Sequence, residues 1–564
     1  MKIVTLSARA AVVHAPPAED RVHLICQFFL ASGAARREEI CECLRRNAAN
    51  SRITEVHLLN ERLYSAAEMG FAANDVPAKV RQSPVAGRMT FRDAARYARE
   101  RGLRGYIVIA NADIFFDASL DNLRRCDIHL RRAAFAQLRF EGSDAAGGGG
   151  RLFGPRADSQ DVWIFHSAQF FAEAQERALD VVLGQPGCDN KMAYLLMLMG
   201  FEVINDPAFV RTHHLHAETG RDYAIKEPIS PPWAFVAPAG ADPASFKPDS
   251  SLGVNMSRAI ASTRGMTQIQ FSDNARIREH VAAKLAAGRN FVIPRISGIE
   301  NNVACFARAS AERGGAPPGI NEYLQAVVPA MKRDAGVQLS SRGAMLRYAE
   351  LYLRAFEQCE LFCAWESWGG RMQHIVDSHR FVVERYGAER RAVWARALDA
   401  FNYIHAEPWT LALRGKRVLV VSAFAESIRE KIPIREKIYG VDLFPECEIS
   451  VLLPPQTQGD NPSREFDEEL REFLARLDAV AHTYDVALLS CGGYSNPVCA
   501  HLFAQGKSAI YVGGALQMMF GVLGARWLKE TPDVVRLYLN EHWSRPKASE
   551  RPRGFERIEG GCYF

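Results

Sequence analysis

A chain of 564 residues exceeds what a single hydrophobic core organises, about 250 to 300 residues, so two or three domains are expected. Hydrophobic residues at 48% and charged residues at 24% are ordinary for a folded protein and exclude a disordered, coiled-coil or collagen-like chain. Lys plus Arg at 69 against Asp plus Glu at 65 leaves a formal charge of +4, too balanced for a protein whose main partner is bulk nucleic acid.

The N-terminus, Met1-Lys2-Ile3-Val4-Thr5-Leu6-Ser7, lacks the apolar region of a signal peptide, and no run of 18 apolar residues follows. None of the 12 cysteines shows the paired CxxC spacing of zinc sites, so they read as buried small hydrophobes, free thiols of a cytoplasmic protein. Arg36-Arg37, Arg131-Arg132 and Arg390-Arg391 read as solvated helix faces. The competing role is contact with an anionic acceptor, or peripheral association with a membrane surface.

Val22 to Leu30 reads as a buried strand, and Ala35 to Ala48 follows at helical spacing. Ile53 to Leu59 is the next strand, then come a helix over Phe91 to Arg101, a strand over Tyr106 to Ala110 and a helix from Leu120. Strands alternating with helices predict a parallel, doubly wound sheet. Gly147 to Gly150 marks a loop of the kind that closes over substrates. The Pro-rich stretch from Glu227 to Pro248 marks the first boundary.

Beyond it, Asp273 to Ala287 and Ser341 to Tyr386 read as helical. A second βαβ rhythm runs through Arg417 to Phe424, Glu448 to Leu453, Asp485 to Ser490 and Ala509 to Gly514. The expected fold class is therefore α/β with two Rossmann-like domains. The first spans 1–225, a Pro-rich linker 226–265, and a C-terminal α/β domain with an α-rich lead-in 266–564.

Four clusters in the first domain carry chemistry. They are Asn60-Glu61 at a strand end, Asn111-Ala112-Asp113 at another, Ser159-Gln160-Asp161-Val162-Trp163, and Gly187-Cys188-Asp189-Asn190 followed by His213-His214-Leu215-His216. An apolar strand that delivers a carboxylate to its C-terminal end is how open α/β sheets build ligand sites.

This run resembles the nucleotide-sugar glycosyltransferases of the GT-A type, whose usual Asp-x-Asp signature stands here as Asn111-Ala112-Asp113. It is similar in particular to a bacterial and viral subgroup with an N-[SA]-D-I-[YF]-F-D strand end, a P-G-C-D-N turn and a late H-x-H. The resemblance covers roughly the first 220 residues, the size of one domain. It implies transfer of a sugar from a nucleoside-diphosphate donor to a glycan or lipid-linked acceptor, in surface polysaccharide synthesis.

Such a reaction leaves charge on the departing diphosphate, which a divalent cation neutralises. Asp113 with His214 or His216 suits that task, and hard oxygen ligands favour Mn²⁺ or Mg²⁺. A helix N-cap is the structural alternative for Asp113, although Asp117 is better placed to cap. Asn111 departs from the signature: metal affinity is weakened, or Asn111 hydrogen-bonds the ribose instead.

Asp189 is either the general base that deprotonates the acceptor hydroxyl, the role this position has in the related inverting enzymes, or a cap of the apolar helix after it. Asn60 and Glu61 stand where donor nucleosides bind in this fold. Arg88 meets the diphosphate or base, with a plain surface role as its rival. Asp161 accepts from sugar hydroxyls while the Trp163 indole stacks on the sugar, or both are simply buried.

In the second half, Gly492-Gly493 and Gly513-Gly514 follow strands, where glycine lets a backbone approach a ligand closely. With Arg295 and Glu300 of Pro294-Arg295-Ile296-Ser297-Gly298-Ile299-Glu300 they resemble the GT-D type of glycosyltransferase, whose R-x-G-D-G-E motif supplies an acidic residue near the donor. Here the central Asp is missing and Ile299 precedes Glu300. The last residues, Glu541 to Phe564, resemble the terminus of a bacterial family often attached to sugar transferases, and are expected to wrap back across the sheet. The chain is thus expected to be a transferase, bifunctional if both halves act. The rival is a non-catalytic glycan- or nucleotide-binding protein with decayed modules.

Overall fold

The computed structural model describes residues 20–72, 75–142, 150–154, 156–215, 229, 233–240, 271–312, 319–365, 373–387 and 392–564. The chain divides into two compact units, Met1–Val254 and Asn255–Phe564. Both are α/β.

In the first unit, β1 (Val22–Cys26), β2 (Glu55–Asn60), β3 (Val80–Pro84), β4 (Tyr106–Ala110), β6 (Ala133–Gln137), β9 (Val162–His166) and β10 (Glu202–Ile204) form one seven-stranded sheet in the order β10-β6-β9-β4-β1-β2-β3. Its central strands are buried on both faces, which is why they read as unbroken apolar runs. The expectation of a parallel sheet needs one correction. β9 runs antiparallel to both neighbours, β4 and β6.

Helix α1 (Ala34–Ala49) covers one face through Ile40, Cys41 and Leu44 against Leu24, Val56 and Val108. Helix α2 (Phe91–Glu100) is started by a capping box between Thr90 and Asp93. Its Phe91 meets Trp163 of β9 edge to face, with ring centroids 4.7 Å apart.

A second, four-stranded sheet joins β5 (Ile114–Phe116), β11 (Thr212–His214), β7 (Phe140–Glu141) and β8 (Arg151–Leu152) in that order. The chain therefore leaves the large sheet at Ala110 and enters the small one at Ile114, with Asn111–Asp113 as the turn between them. β5 is held on one side by β11 and on the other by α1. Asn47 Nδ2 donates to the Ile114 carbonyl at 2.7 Å, Asn47 Oδ1 accepts from Phe116 N at 3.2 Å, and Asn50 donates to the Phe116 carbonyl at 3.0 Å. The helix expected from Leu120 is a 3₁₀ segment, Ala118–Arg125, capped by Asp117.

Part of the expected linker packs on this unit. Trp233, Ala234, Val236 and Ala237 are buried, and the backbone amides of Val236 and Ala239 donate to Ala157 O and Asn205 O. The Gly147-Gly149 run and most of the Pro-rich stretch lie outside the described residues, as do Arg390 and Arg391.

The second unit holds a parallel five-stranded sheet of β12 (Val292–Ile293), β18 (Ser508–Tyr511), β17 (Val486–Ser490), β15 (Arg417–Ser422) and β16 (Glu448–Leu452), in that order. Helices α4 (Ile299–Glu312), α5 (Arg342–Gln358) and α6 (Phe466–Ala479) pack on it around Leu419, Val421, Ala487 and Leu489. The helical stretch expected over 341–386 is interrupted by β13 (Phe362–Ala364), which pairs with β14 (Ala392–Trp394). β13 is short, apolar and fully buried, a pattern that periodicity cannot separate from a buried helical turn. All 12 cysteines are free, 11 of them buried. Among the described residues no helix is long and apolar enough to cross a membrane.

Candidate functional site

A cleft of 590 Å³ opens at the C-terminal ends of β1 and β4, where open sheets bind ligands. Its volume is that of a small-molecule site. The loop after β1 supplies Phe29, Ser32 and Gly33, the turn after β4 supplies Asn111 and Asp113, and the approach to β9 supplies Ser159 and Asp161. Leu183 to Asp189 close the far side, leading into helix α3 (Cys188–Leu198).

Asp113 is 7% exposed. Its Oδ2 accepts from Arg36 and lies 2.9 Å from His214 Nε2, while its Oδ1 has no hydrogen-bond partner. Burial by itself would raise the carboxyl, but His214 and Arg36 outweigh it and hold Asp113 well below the usual carboxylate range. It is not a cap. Asp117 takes that role, accepting from Ser119 N at 2.8 Å and pairing with His213 Nε2 at 3.0 Å. His213 and His214 thus serve different aspartates on opposite sides of β11, as strand alternation requires. His216 lies outside the described residues.

Asn111 donates through Nδ2 to Asp161 Oδ1 at 3.0 Å, and Asp161 Oδ2 accepts from the buried Arg139 at 2.7 Å. Arg139 reaches on to Glu141 at 3.0 Å. This network accounts for an amide at position 111. A carboxylate at 111 would face that of Asp161, whereas an amide donates to it.

Asp189 is in the first turn of α3, but Gly187, at φ +82°, is the N-cap. The Asp189 carboxylate accepts instead from Gln160 N at 3.3 Å and from the Cys188 thiol at 3.1 Å. Burial first, and then the nearby Asp161, push its carboxyl up to about 7. That is where a group must titrate to exchange protons at neutral pH.

Two cations flank the cleft. Arg88 is exposed beside Gly184 and has no hydrogen-bond or ion-pair partner among the described residues. Arg36, read from sequence as part of a solvated face, instead turns into the cleft to pair with Asp113. Arg131 and Arg132 are likewise engaged, by Asp127 and Glu202 and by Met199 O and Gln175. The N-terminus of α1 also borders the cleft at Gly33, with no side-chain cap and no acid in its first turn, a ready anion site.

Three expectations meet a different geometry. Asn60 is fully buried and does not line the cleft: its Oδ1 accepts from Phe28 N at 2.9 Å and its Nδ2 donates to Gln82 at 3.0 Å, so it clamps the loop after β1. Glu61 is bonded to Tyr64 and Gln27 and also lies outside the cleft lining. Trp163 is wholly enclosed against Phe91, so its indole has no open face for a sugar.

Sequence reasoning missed Phe29 and Arg139. Phe29 is 37% exposed on the cleft wall, and the signal was a large aromatic at the very end of an apolar strand run, past the last residue the sheet needs. Arg139 gave no signal, because Asp161, the carboxylate that draws it to the cleft, meets it only in the fold.

In the second unit, a 100 Å³ cavity is lined by Glu300, Gly492, Gly513 and Gly514 together with Tyr563 and Phe564. Burial, with a contribution from Glu559, pushes the Glu300 carboxyl up to about 7. The glycines are explained by the chain itself. A Cβ at Gly513 would lie 2.3 Å from the Arg295 guanidinium, at Gly514 2.9 Å from the Tyr563 ring, at Gly492 2.7 Å from Ala335 O and at Gly493 2.4 Å from Val337. Arg295 donates to Val512 O and stacks over Trp365 at 4.4 Å. The C-terminal segment wraps back here: Glu550 accepts from the amides of Glu426 and Ser427, filling the helix N-terminus after β15.

No protein-family profile and no curated protein matches the chain. Among solved structures, it is similar to a domain of unknown function 1792 described as having a distinct glycosyltransferase fold, at 13% identity and TM-score 0.27, covering 50% of this chain and 96% of that one. It is also similar to the mannosyltransferase PcManGT from Pyrobaculum calidifontis in complex with GDP-Man and Mn²⁺, at 12% identity and TM-score 0.23, covering 67% and 89%. A third likeness is to 4-diphosphocytidyl-2C-methyl-D-erythritol synthase, at 12% identity and TM-score 0.19, covering 33% and 88%. Likeness this low carries no argument about chemistry, which rests on the cleft.

Proposed function

We propose that the first unit is a glycosyltransferase that moves a sugar from a nucleoside-diphosphate donor to a hydroxyl of a glycan or lipid-linked acceptor. The observation that carries this reading is one cleft holding an ionised carboxylate, Asp113, and a carboxyl that titrates near 7, Asp189, beside Arg36, Arg88 and the open N-terminus of α1. Two acids with separated proton affinities divide the work between charge binding and proton transfer.

In this reading Phe29 receives the nucleobase, and Arg88, Arg36 and the α1 amides face the diphosphate. Asp161, fixed by Arg139 and Asn111, accepts from the donor sugar. Asp189 in its ionised form takes the proton of the attacking acceptor hydroxyl. The residues suit a divalent metal, Mn²⁺ or Mg²⁺: Asp113 Oδ1 is a buried hard oxygen with no partner, and His214 stands beside it. Such an ion would neutralise charge on the departing diphosphate.

A screen of UDP-, GDP- and dTDP-sugars for metal-dependent hydrolysis tests the proposal. Turnover with at least one donor, reduced about 10²-fold or more in Asp113→Ala, is expected. No turnover or binding with any donor would overturn the enzyme reading, and equal turnover in Asp113→Ala would remove the role given to that carboxylate.

The second unit is favoured as a second transferase by one observation, the Glu300 carboxyl that titrates near 7 on a cavity at the strand ends. That cavity is too small for a sugar nucleotide while Tyr563 and Phe564 line it, so donor entry there requires the C-terminal segment to move.

A further inference from the structure

On the face of the first sheet covered by α2, at the start of β1 and thus at the other end of that strand from the cleft, His23, Glu55 and His57 converge. His23 Nδ1 lies 3.2 Å from His57 Nε2 and 3.4 Å from Glu55 Oε2, and His57 Nε2 lies 3.6 Å from the same Oε2. Three ligand atoms each about 2.0 to 2.1 Å from a tetrahedral zinc ion stand about 3.3 to 3.4 Å apart, so this triangle has the dimensions of one face of such a site.

The remaining ring nitrogens are held as metal-bound imidazoles usually are. His23 Nε2 donates to the Arg104 carbonyl at 3.1 Å, which leaves the lone pair on Nδ1, inside the triangle. His57 Nδ1 is 3.1 Å from the Tyr97 hydroxyl of α2, and Tyr97 also packs edge-on against the ring. Glu55 Oε1 accepts from Arg81 at 2.8 Å, so the carboxylate is fixed with Oε2 turned to the histidines. Both rings are buried, at 3% and 2% exposure.

We infer that His23, Glu55 and His57 form a binding site for a zinc-type transition-metal ion that staples β1, β2 and α2. Two imidazoles and one carboxylate select Zn²⁺ over Mg²⁺ or Ca²⁺, which prefer oxygen-only sets. Glu55, at 25% side-chain exposure, is the most open of the three, so the fourth position is left to water. None of these residues lines the cleft, so the site stands apart from any metal at Asp113.

The test titrates Zn²⁺ into chelator-stripped full-length protein against a chromophoric competitor, with Co²⁺ as a spectroscopic substitute. The expected result is a Zn²⁺ equivalent per chain that Asp113→Ala retains, and a Co²⁺ spectrum of tetrahedral intensity. Glu55→Gln is the decisive variant, since it keeps shape and leaves the two buried histidines in place. It should weaken that equivalent at least about tenfold, and His57→Gln should abolish it. Absence of Zn²⁺ uptake by the wild-type chain, or unchanged affinity in Glu55→Gln, would overturn the site and leave the cluster as a hydrogen-bonded histidine pair.

Discussion

Asp189 combines two effects of burial in one side chain. Its carboxyl is raised above the unfolded value, so the folded state holds the proton more tightly. Stability from this group is full below about pH 4 and is lost as pH rises through about 7. Asp189→Asn should therefore match wild type near pH 4 and exceed it by about 1 to 3 kcal/mol at pH 8, measured by urea unfolding. The same variant should lose transfer to acceptor, and the wild-type kcat/KM profile should climb to a plateau through about pH 7. A wild-type profile flat from pH 5 to 9 would remove Asp189 as the base. Asn111 obeys the opposite electrostatics: Asn111→Asp places a second carboxylate against Asp161, and should destabilise by about 1 to 3 kcal/mol at pH 8 but much less near pH 4.

At the scale of elements, β5 is a three-residue strand that would not stand alone. Asn47 of α1 and Asn50, which caps α1, pair with its outer edge, and Leu215 N, just beyond β11, donates to the Asp113 carbonyl at 3.3 Å. Asp113 is thereby placed by a helix side chain 66 residues earlier in the chain and by a strand about 100 residues later. Asn47→Ala leaves the Ile114 carbonyl and the Phe116 amide unpaired in a buried place, and should cost about 2 to 3 kcal/mol. It should also lower donor turnover, without touching the cleft, if β5 carries Asp113 as the geometry indicates. A destabilised variant with unchanged turnover would separate the two.

For the whole molecule, the two units carry carboxyls of similar proton affinity on cavities of very different volume, 590 and 100 Å³. In full-length protein, Asp113→Ala should abolish the main donor turnover while Glu300→Gln leaves it within about twofold. A second donor turned over in Asp113→Ala and lost in Glu300→Gln would assign transfer to both units. The reverse pattern, with Glu300→Gln abolishing the main activity, would move the catalytic centre to the second unit.

The sequence by itself determined much of the architecture. Strand runs such as Tyr106–Ala110 are legible because both faces of a central strand are buried, and helix starts such as Thr90 because caps are local. It also singled out Asp113, Asp161 and Asp189, since carboxylates at the edge of apolar runs have no place in a core. Tertiary structure alone decided which of them share a cleft, that β9 runs antiparallel, and that Asn60 and Trp163 are buried away from the cleft. It also brought Arg36 to Asp113 across 77 positions and His23 to His57 across 34. The physical reason is range: propensity and capping act within one turn of chain, while ion pairing, desolvation and ligand geometry depend on atoms that only folding brings within a few ångströms.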